Sequence, residues 1–407
     1  MTTSAEPRIL VTNRPTAEQL EQIYNLLDRC FAVGRAFFQE RLDQDRAYDP
    51  ATTWFAMVDD AIASTVQIFP LSIRVGQAVL KIGAIGSVGT DPNYRGMGLA
   101  HRILHAQTAY MNEADYDMSI LLASKHAFYE KAGWRLIPET AYVVDKPITT
   151  CEQHDDYDII PFEPRYLDAI RLIYEQYNQH RTYTVVRDET YWQDLMSWPE
   201  WKKADCLLLR RGDAIVAYGL IENKDTEQVF INELLYVKDA EDDVIPLFHA
   251  LCKLRPHAKQ IAAMLPEDHR LRAYYTQHQG QTLAIHMAMW KMINLYSTFC
   301  KLQPELEHRL HSHDLLAEQE LHLALRCEAE HIYLDYKQRQ LTVSRTPSLA
   351  SDASRYVPIT VDERSLITYL IFGYDAADAT EEGVEHADLL QALFPRQQAV
   401  FYLTDKF

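Results

Sequence analysis

Val88-Gly-Thr-Asp-Pro-Asn-Tyr-Arg-Gly-Met-Gly-Leu-Ala100 is the stretch of sequence that decides the fold. It follows a predicted strand over 81–89 and precedes a pattern of helical periodicity over 99–112. Gly96 and Gly98 let the backbone approach a ligand, and the first N–H groups of a helix lack internal partners and carry partial positive charge. A pyrophosphate fits such a turn, and Arg95 adds a permanent cation. The stretch indicates a nucleotide-derived cofactor; a glycine-rich connector with an exposed arginine is the structural alternative.

Two further segments follow this turn. Residues 119–124, Ser-Ile-Leu-Leu-Ala-Ser, predict a short buried strand. Residues 127–134, Ala-Phe-Tyr-Glu-Lys-Ala-Gly-Trp, predict a short helix that ends at a glycine. The order is therefore strand, phosphate turn, helix, strand, and a helix that ends in glycine and an aromatic residue.

In these segments the sequence resembles the GNAT superfamily of acyl-CoA-dependent N-acyltransferases. Residues 95–100 match its Arg/Gln-x-x-Gly-x-Gly/Ala pyrophosphate loop, and residues 128–134 match its Phe-Tyr-x-x-x-Gly-Phe segment. Family loops often carry two or three consecutive arginines, and here a single one is present. The resemblance implies acetyl-CoA as co-substrate, with the end of the predicted strand pairing through its backbone with the pantetheine arm. The cofactor contacts expected on this basis are Val88, Gly89, Thr90, Arg95, Gly96, Met97, Gly98, Leu99, Ala100 and Ser124.

The resemblance also implies a role for Tyr129, which would stand near the thioester sulfur as general acid. A phenol can give a proton to the departing thiolate, and its high ordinary pKa keeps it protonated at neutral pH. The alternatives left open by the residues themselves are that Tyr129 is a core aromatic and that Ser124 caps a helix.

Length and composition place this module in a larger chain. The 407 residues, 47% of them hydrophobic and 24% charged, predict two or three globular domains. No run of about 18 apolar residues and no signal-peptide pattern occurs, so we expect a cytoplasmic protein without membrane insertion. The six cysteines have no metal-ligand spacing, and the histidines at 308, 311 and 313 do not share one helix face, so no metal is expected.

The formal net charge of −18 argues against nucleic acid as a partner, because phosphate backbones are bound by basic patches. It is compatible with cationic, amine-bearing substrates. Solubility alone explains the charge equally well. Asp28, Phe31, Phe38 and Glu40, in the first two predicted helices, are candidates for an acidic and aromatic substrate pocket, with helix surface or core as the alternative.

The pattern of elements divides the chain into three parts. Residues 1–150 form the first unit, which a strand over 136–144 closes, and the polar segment 151–158 is typical of a domain boundary. Residues 151–290 repeat the same order of helices and strands. At the place of the phosphate turn they carry 238–243, Lys-Asp-Ala-Glu-Asp-Asp, whose four carboxylates would repel a pyrophosphate. We therefore expect a degenerate unit without a cofactor site, which walls the substrate cleft. Residues 291–407 predict a small α+β domain.

Two such repeats followed by an α+β domain resemble the enhanced-intracellular-survival (Eis) acetyltransferases. The resemblance rests on 177–181 and 191–192 in the second repeat and on 393–395 and 405–407 at the end of the chain. It implies an α+β fold class with mixed sheets, a sterol-carrier-like third domain, and homo-oligomers, often hexamers. It also implies that the α-carboxylate of Phe407 reaches back into the first domain as general base. A carboxylate can attract a substrate ammonium and take its proton.

A frayed tail is the usual state of a terminus and remains the alternative, although apolar residues over 399–403 favour docking. The leading hypothesis is transfer of an acetyl group from acetyl-CoA to an amine of a cationic small molecule or a lysine side chain. The competing class is a non-catalytic protein that binds or senses acyl-CoA or lipid.

Overall fold

The computed structural model describes residues 7–147, 156–314, 316–348, 355–376 and 386–407. Within these ranges the chain is a mixed α/β protein with two seven-stranded sheets and one four-stranded sheet. Most of the expected boundary segment, 151–155, lies outside the described residues. No helix in the described ranges is both long and apolar enough to cross a membrane.

The first sheet comes mainly from the first third of the chain. Helix α1 begins after a capping box in which Thr16 and Gln19 satisfy each other's backbone N–H groups. The predicted phosphate turn leads into a helix that starts at Leu99, as expected. The elements are β1 (Ile9–Asn13), α1 (Ala17–Cys30), α2 (Arg35–Asp43), β2 (Thr53–Val58), β3 (Ala61–Val75), β4 (Ala78–Thr90), α3 (Leu99–Glu113), β5 (Met118–Leu122), α4 (His126–Glu130) and β6 (Arg135–Leu136).

The second part repeats this order, as the sequence predicts. A strand pair joined by a tight turn at Gly212 is followed by a third strand, a helix and a parallel strand. The elements are β7 (Glu139–Asp145), β8 (Asp158–Pro161), α5 (Leu167–Asn178), α6 (Glu189–Leu195), α7 (Pro199–Lys202), β9 (Ala204–Arg211), β10 (Ala214–Glu222), β11 (Gln228–Tyr236), α8 (Val244–Lys253), β12 (Gln260–Ala263), α9 (Arg270–Gln277) and β13 (Gln281–Ile285).

The two repeats exchange strands, which the sequence did not predict. The strand expected to close the first unit over 136–144 is divided: β6 stays in the first sheet, whereas β7 lies in the second sheet between β12 and β13. In return β14 (Ala288–Met292) leaves the second repeat and lies in the first sheet between β5 and β6. The sequence over 283–289 predicts a single strand, whereas the structure has the two strands β13 and β14 in this region. Each sheet is thus completed by the other repeat.

The third part packs a small sheet, ordered β17-β16-β15-β18, against three helices. Leu302, Leu306 and Leu310 lie one turn apart on the first of these helices, and all three are buried. The elements are α10 (Leu295–His311), β15 (Leu321–Cys327), β16 (Glu330–Lys337), β17 (Gln340–Ser344), β18 (Val357–Thr360), α11 (Glu363–Phe372) and α12 (Ala387–Leu393).

The last residues of the chain are docked, so the alternative of a frayed tail is wrong. Val400, Phe401 and Tyr402 are at most 4% exposed. The amide of Val400 donates to the carbonyl of Thr182 at 3.1 Å, and the Tyr402 hydroxyl donates to Oδ1 of Asn178 at 2.9 Å. The tail therefore crosses the second repeat and continues to the first sheet.

Candidate active site

A bulge opens the first sheet where β4 leaves β5. The pairing of β4 with β3 shifts register between Gly86 and Gly89, and Ser87 between them has a φ of 50°. The parallel pairing of β4 with β5 runs from Ile82 to Ile85, whereas β4 continues to Thr90 and β5 ends at Leu122. The backbone of the last part of β4 therefore faces a gap between the two strands.

The phosphate turn stands at the mouth of this gap. Gly96 and Gly98 have φ values of 87° and 69°, in the left-handed region that glycine tolerates. A Cβ at either position would meet no atom within 4 Å, so the turn borders open space. Gly98 is also the N-cap of α3, whose first amides have no partner within the helix. Arg95 is exposed, and its Nε donates to the carbonyl of Thr90 at 3.4 Å.

A cavity of about 650 Å³ lies between the turn, the gap and the end of the chain. Of the predicted cofactor contacts, Met97 does not line it, because its side chain packs against the apolar cluster under α3. The predicted residues that do line it are Val88, Gly89, Thr90, Arg95, Gly96, Gly98, Leu99, Ala100, Ser124, Tyr129 and Phe407.

Helix α4 presents Tyr129 to this cavity. The carbonyl of Tyr129 accepts from the amides of Ala132 at 2.9 Å and Trp134 at 3.1 Å, so the turn that ends in Gly133 fixes its backbone. Its ring meets the Phe128 ring edge-on, with 4.9 Å between centroids. Burial raises the pKa of the Tyr129 phenol above its usual range. The phenol therefore stays protonated at neutral pH.

The C-terminal carboxyl group lies against the start of the gap. A Cβ built on Gly86 would lie 3.5 Å from the carboxyl carbon of Phe407 and 2.8 Å from the ring of Phe69. The Phe407 ring has its centroid 6.4 Å from that of Phe69 and 6.5 Å from that of Phe401. Glycine at 86 therefore makes room for the end of the chain at the bulge.

Among the four substrate candidates, Phe31 alone lines the cavity. The side chain of Asp28 accepts from the amide of Arg35 at 2.8 Å and so caps α2. Phe38 is buried in the core, and Glu40 pairs with Lys202 at 3.3 Å on the surface. The expected acidic pocket is therefore not assembled by these residues.

Other residues that line the cavity were not predicted. Met287 precedes β14 and reaches the site through the strand exchange, and its carbonyl accepts from the amide of Ala123 at 2.9 Å. No pattern in the sequence around Met287 predicts that this residue lies at the cavity. For the bulge in β4, the sequence offers one indication, which is the pair Gly86-Ser87 close to Gly89. The remaining unpredicted lining residues are Cys30, Ile85, Tyr94, His101, Leu121, Leu122, Ala123, Lys125 and Phe128.

In the second repeat, the side chain of His269 lies between the end of β11 and the start of α9. Nε2 of His269 donates to the carbonyl of Leu234 on β11 at 2.8 Å, and its Nδ1 accepts from the amide of Leu271 at 3.0 Å. Burial lowers the pKa of His269 to about 4, which keeps the ring neutral. In the acidic turn, Asp242 pairs with Arg270 at 2.9 Å, and Asp243 pairs with Arg211.

Comparison with known proteins agrees with this geometry. Residues 12–137 match the family model described as an acetyltransferase (GNAT) domain. A comparison with curated proteins finds no match.

Several solved structures share the fold over 98% of this chain and all of their own. They include a GCN5-related N-acetyltransferase from Anabaena variabilis (16% identity, TM-score 0.70) and a probable N-acyltransferase from Enterococcus faecalis (14%, 0.73). Eis1 from Mycobacterium abscessus matches with 14% identity and a TM-score of 0.63. The chain therefore contains a GNAT acetyltransferase domain over residues 12–137 and has, over nearly its whole length, the fold that these solved structures share.

Proposed function

We propose that the protein transfers an acetyl group from acetyl-CoA directly to an amine. The observation that carries the proposal is that one cavity is lined by the phosphate turn, by Tyr129 and by the C-terminal residue. In this proposal residues 1–150 form the catalytic unit and 151–290 a unit without a cofactor site. Residues 291–407 form a third unit, whose C-terminal segment reaches the cavity of the first unit.

The described residues fit coenzyme A as the carrier of the acyl group. Amides at the start of α3 and Arg95 offer donors and positive charge to a pyrophosphate. The backbone of Val88 to Thr90 faces the gap, where its N–H and C=O groups suit the amides of a pantetheine arm. Gly96 and Gly98 border open space, as close approach of a diphosphate requires.

Two groups at the inner end of the cavity suit the proton transfers. The amine nitrogen attacks the thioester carbonyl carbon, an N–C bond forms and the C–S bond breaks. The proton lost by the amine goes to the α-carboxylate of Phe407, directly or through water. The Tyr129 hydroxyl gives its proton to the departing sulfur, and its raised pKa keeps the phenol protonated until that step. Most of the rate enhancement then comes from positioning.

The acceptor belongs to the class of cationic amines, either a small molecule or a lysine side chain. No Asp or Glu side chain occurs among the described residues that line the cavity. The α-carboxylate of Phe407 is therefore the group that attracts the substrate ammonium.

The test is a thiol-release assay with acetyl-CoA over a panel of aminoglycosides, polyamines and lysine peptides. We compare the wild type, a variant lacking Phe407 and Phe407→Leu, with isothermal titration of acetyl-CoA for each. Deletion moves the terminal carboxylate by one residue, about 3.5 Å. It is expected to lower kcat about 100-fold, whereas Phe407→Leu keeps the carboxylate and loses less.

Two results contradict the proposal. Equal losses in the two variants exclude the carboxylate as base. Binding of acetyl-CoA with no acetyl transfer to any amine favours the competing function, a non-catalytic acyl-CoA-binding protein.

A further inference from the structure

Two residues before its end, the chain enters a buried polar cluster in the second repeat. The guanidinium of Arg187 holds Asp405 with two hydrogen bonds, Nε to Oδ1 at 2.9 Å and Nη2 to Oδ2 at 2.8 Å. The same guanidinium pairs with Glu233 and donates to the Thr404 hydroxyl at 2.9 Å. The side chains of Arg187, Glu233 and Asp405 are fully buried. We call Arg187, Glu233, Thr404 and Asp405 the tail clasp.

Aromatic residues of the second repeat complete the tail clasp. The Tyr191 hydroxyl donates to Oδ1 of Asp405 at 2.9 Å, and the Tyr218 hydroxyl donates to Oε2 of Glu233 at 2.7 Å. The guanidinium carbon of Arg187 lies 4.0 Å from the Tyr174 ring centroid and 4.7 Å from that of Trp192. One guanidinium thus faces two carboxylates in a fully buried site.

The tail clasp is fixed relative to the first sheet as well. The segment that leads to Arg187 pairs with the end of β3: Val185 forms a bridge with Ile73, and the amide of Val186 donates to the carbonyl of Ser72 at 2.7 Å. Strand β3 is also the partner of β4, which carries Gly86. Arg187 and the surface on which Phe407 rests therefore belong to one hydrogen-bonded framework.

Because only Lys406 and Phe407 follow Asp405, fixing Asp405 restricts the position of the terminal carboxylate. Two residues span at most about 7 Å, and the backbone of Lys406 is extended. The backbone pairing of the tail with Thr182 is made at Gln398 and Val400, so the tail clasp lies closer to the carboxylate than that pairing does. A buried ion pair adds little stability compared with apolar packing, but it fixes geometry, because displacing Asp405 would break its buried hydrogen bonds to Arg187.

We propose that Asp405 and Arg187 are positioning residues, which clasp the tail so that the α-carboxylate of Phe407 lies at the acyl-transfer site. This inference rests on the function proposed above and gives the second repeat a part in it. In this proposal the second repeat binds no second cofactor; it positions the catalytic base, the α-carboxylate of Phe407.

The test uses the full chain with Asp405→Asn, which keeps the shape and removes the charge. Asp205→Asn is the control, because it removes from β9 of the second repeat a carboxylate partner of buried Arg255 and does not touch the tail. We expect a carboxypeptidase to release Phe407 at least 10-fold faster from Asp405→Asn than from the wild type. We also expect kcat to fall about 100-fold with the Kd of acetyl-CoA unchanged, and Asp205→Asn to leave both readouts unchanged.

Tyr191→Phe serves if Asp405→Asn does not fold, since it removes one hydrogen bond to Asp405 and keeps the ring; smaller changes in the same direction are expected. If Asp405→Asn keeps the wild-type kcat and carboxypeptidase releases its Phe407 no faster than from the wild type, the inference is overturned. A released tail with unchanged kcat also overturns it, because position would then not matter. If the wild type acetylates no amine, the proposed function fails, whereas the carboxypeptidase result still decides whether the clasp holds the tail.

Discussion

Gly86→Ala should misplace the end of the chain without touching the phosphate turn. The added Cβ would lie 2.8 Å from Cε2 of Phe69, so this ring must retreat by about 0.6 Å to reach ordinary contact at 3.4 Å. The same Cβ would stand 3.5 Å from the carboxyl carbon of Phe407, whose ring neighbours Phe69. Overpacking of this kind costs about 1–3 kcal/mol of unfolding free energy. A shift of 1 Å can cost about 100-fold in rate, so we expect kcat to fall about 10-fold.

The assay is steady-state thiol release at saturating acetyl-CoA, beside the thermal unfolding midpoint and the Kd of acetyl-CoA. Gly83→Ala is the matched control, because it lies on the same strand and its Cβ would collide with the side chain of Met111. It should lower the midpoint without lowering kcat. Phe69→Leu combined with Gly86→Ala should recover stability, since it removes the ring that the Cβ meets. If Gly86→Ala loses stability like the control but keeps full kcat, the carboxylate does not act at this position.

Three further predictions concern the acid, the turn and a buried carboxyl group. Tyr129→Phe should lower kcat at least 100-fold with an unchanged Kd of acetyl-CoA by titration calorimetry; unchanged turnover would exclude Tyr129 as the acid. Gly98→Val should weaken acetyl-CoA binding at least 10-fold. Gly212→Val is the control, because Gly212 also has a positive φ and borders open space. It should lower the unfolding free energy about as much as Gly98→Val does and leave the Kd of acetyl-CoA unaltered. Burial raises the pKa of Glu139 to about 7 from 4.5, so stability falls as the pH rises between these values. Glu139→Gln should therefore be more stable than the wild type by up to about 3 kcal/mol at pH 8 and equal to it near pH 4.5, as chemical denaturation at both pH values can check.

The sequence predicts local structure well where a residue type is tied to one conformation. The phosphate turn is such a case, because Gly96 and Gly98 adopt the positive φ values that glycine alone tolerates easily. The start of α3 at Leu99 is another. Each of these features is decided within a few residues.

The strand exchange and the tail clasp could not be predicted in this way. The strands β7 and β14 are short and largely apolar, and nothing within their sequences specifies which sheet they join. Arg187 lies in an irregular segment, and its partner Asp405 lies 218 residues further along the chain. Burial of an ion pair at that separation depends on the assembled fold.

Because of the strand exchange, the candidate site contains residues from all three parts of the chain. Ala288, Met289 and Trp290 of β14 are fully buried between β5 and β6, so the first sheet is incomplete without this strand from the end of the second repeat. The same strand carries Met287 to the cavity, and the third part of the chain carries Phe407 there. Since the turn, this strand and the terminal carboxylate come from three separate parts of the chain, the complete set of groups assembles only when both repeats and the tail are in place. The second repeat, for which we propose no cofactor site, therefore takes part in the site in two ways: it exchanges a strand with the first sheet, and its Arg187 binds Asp405, which in our proposal sets the position of the chain end.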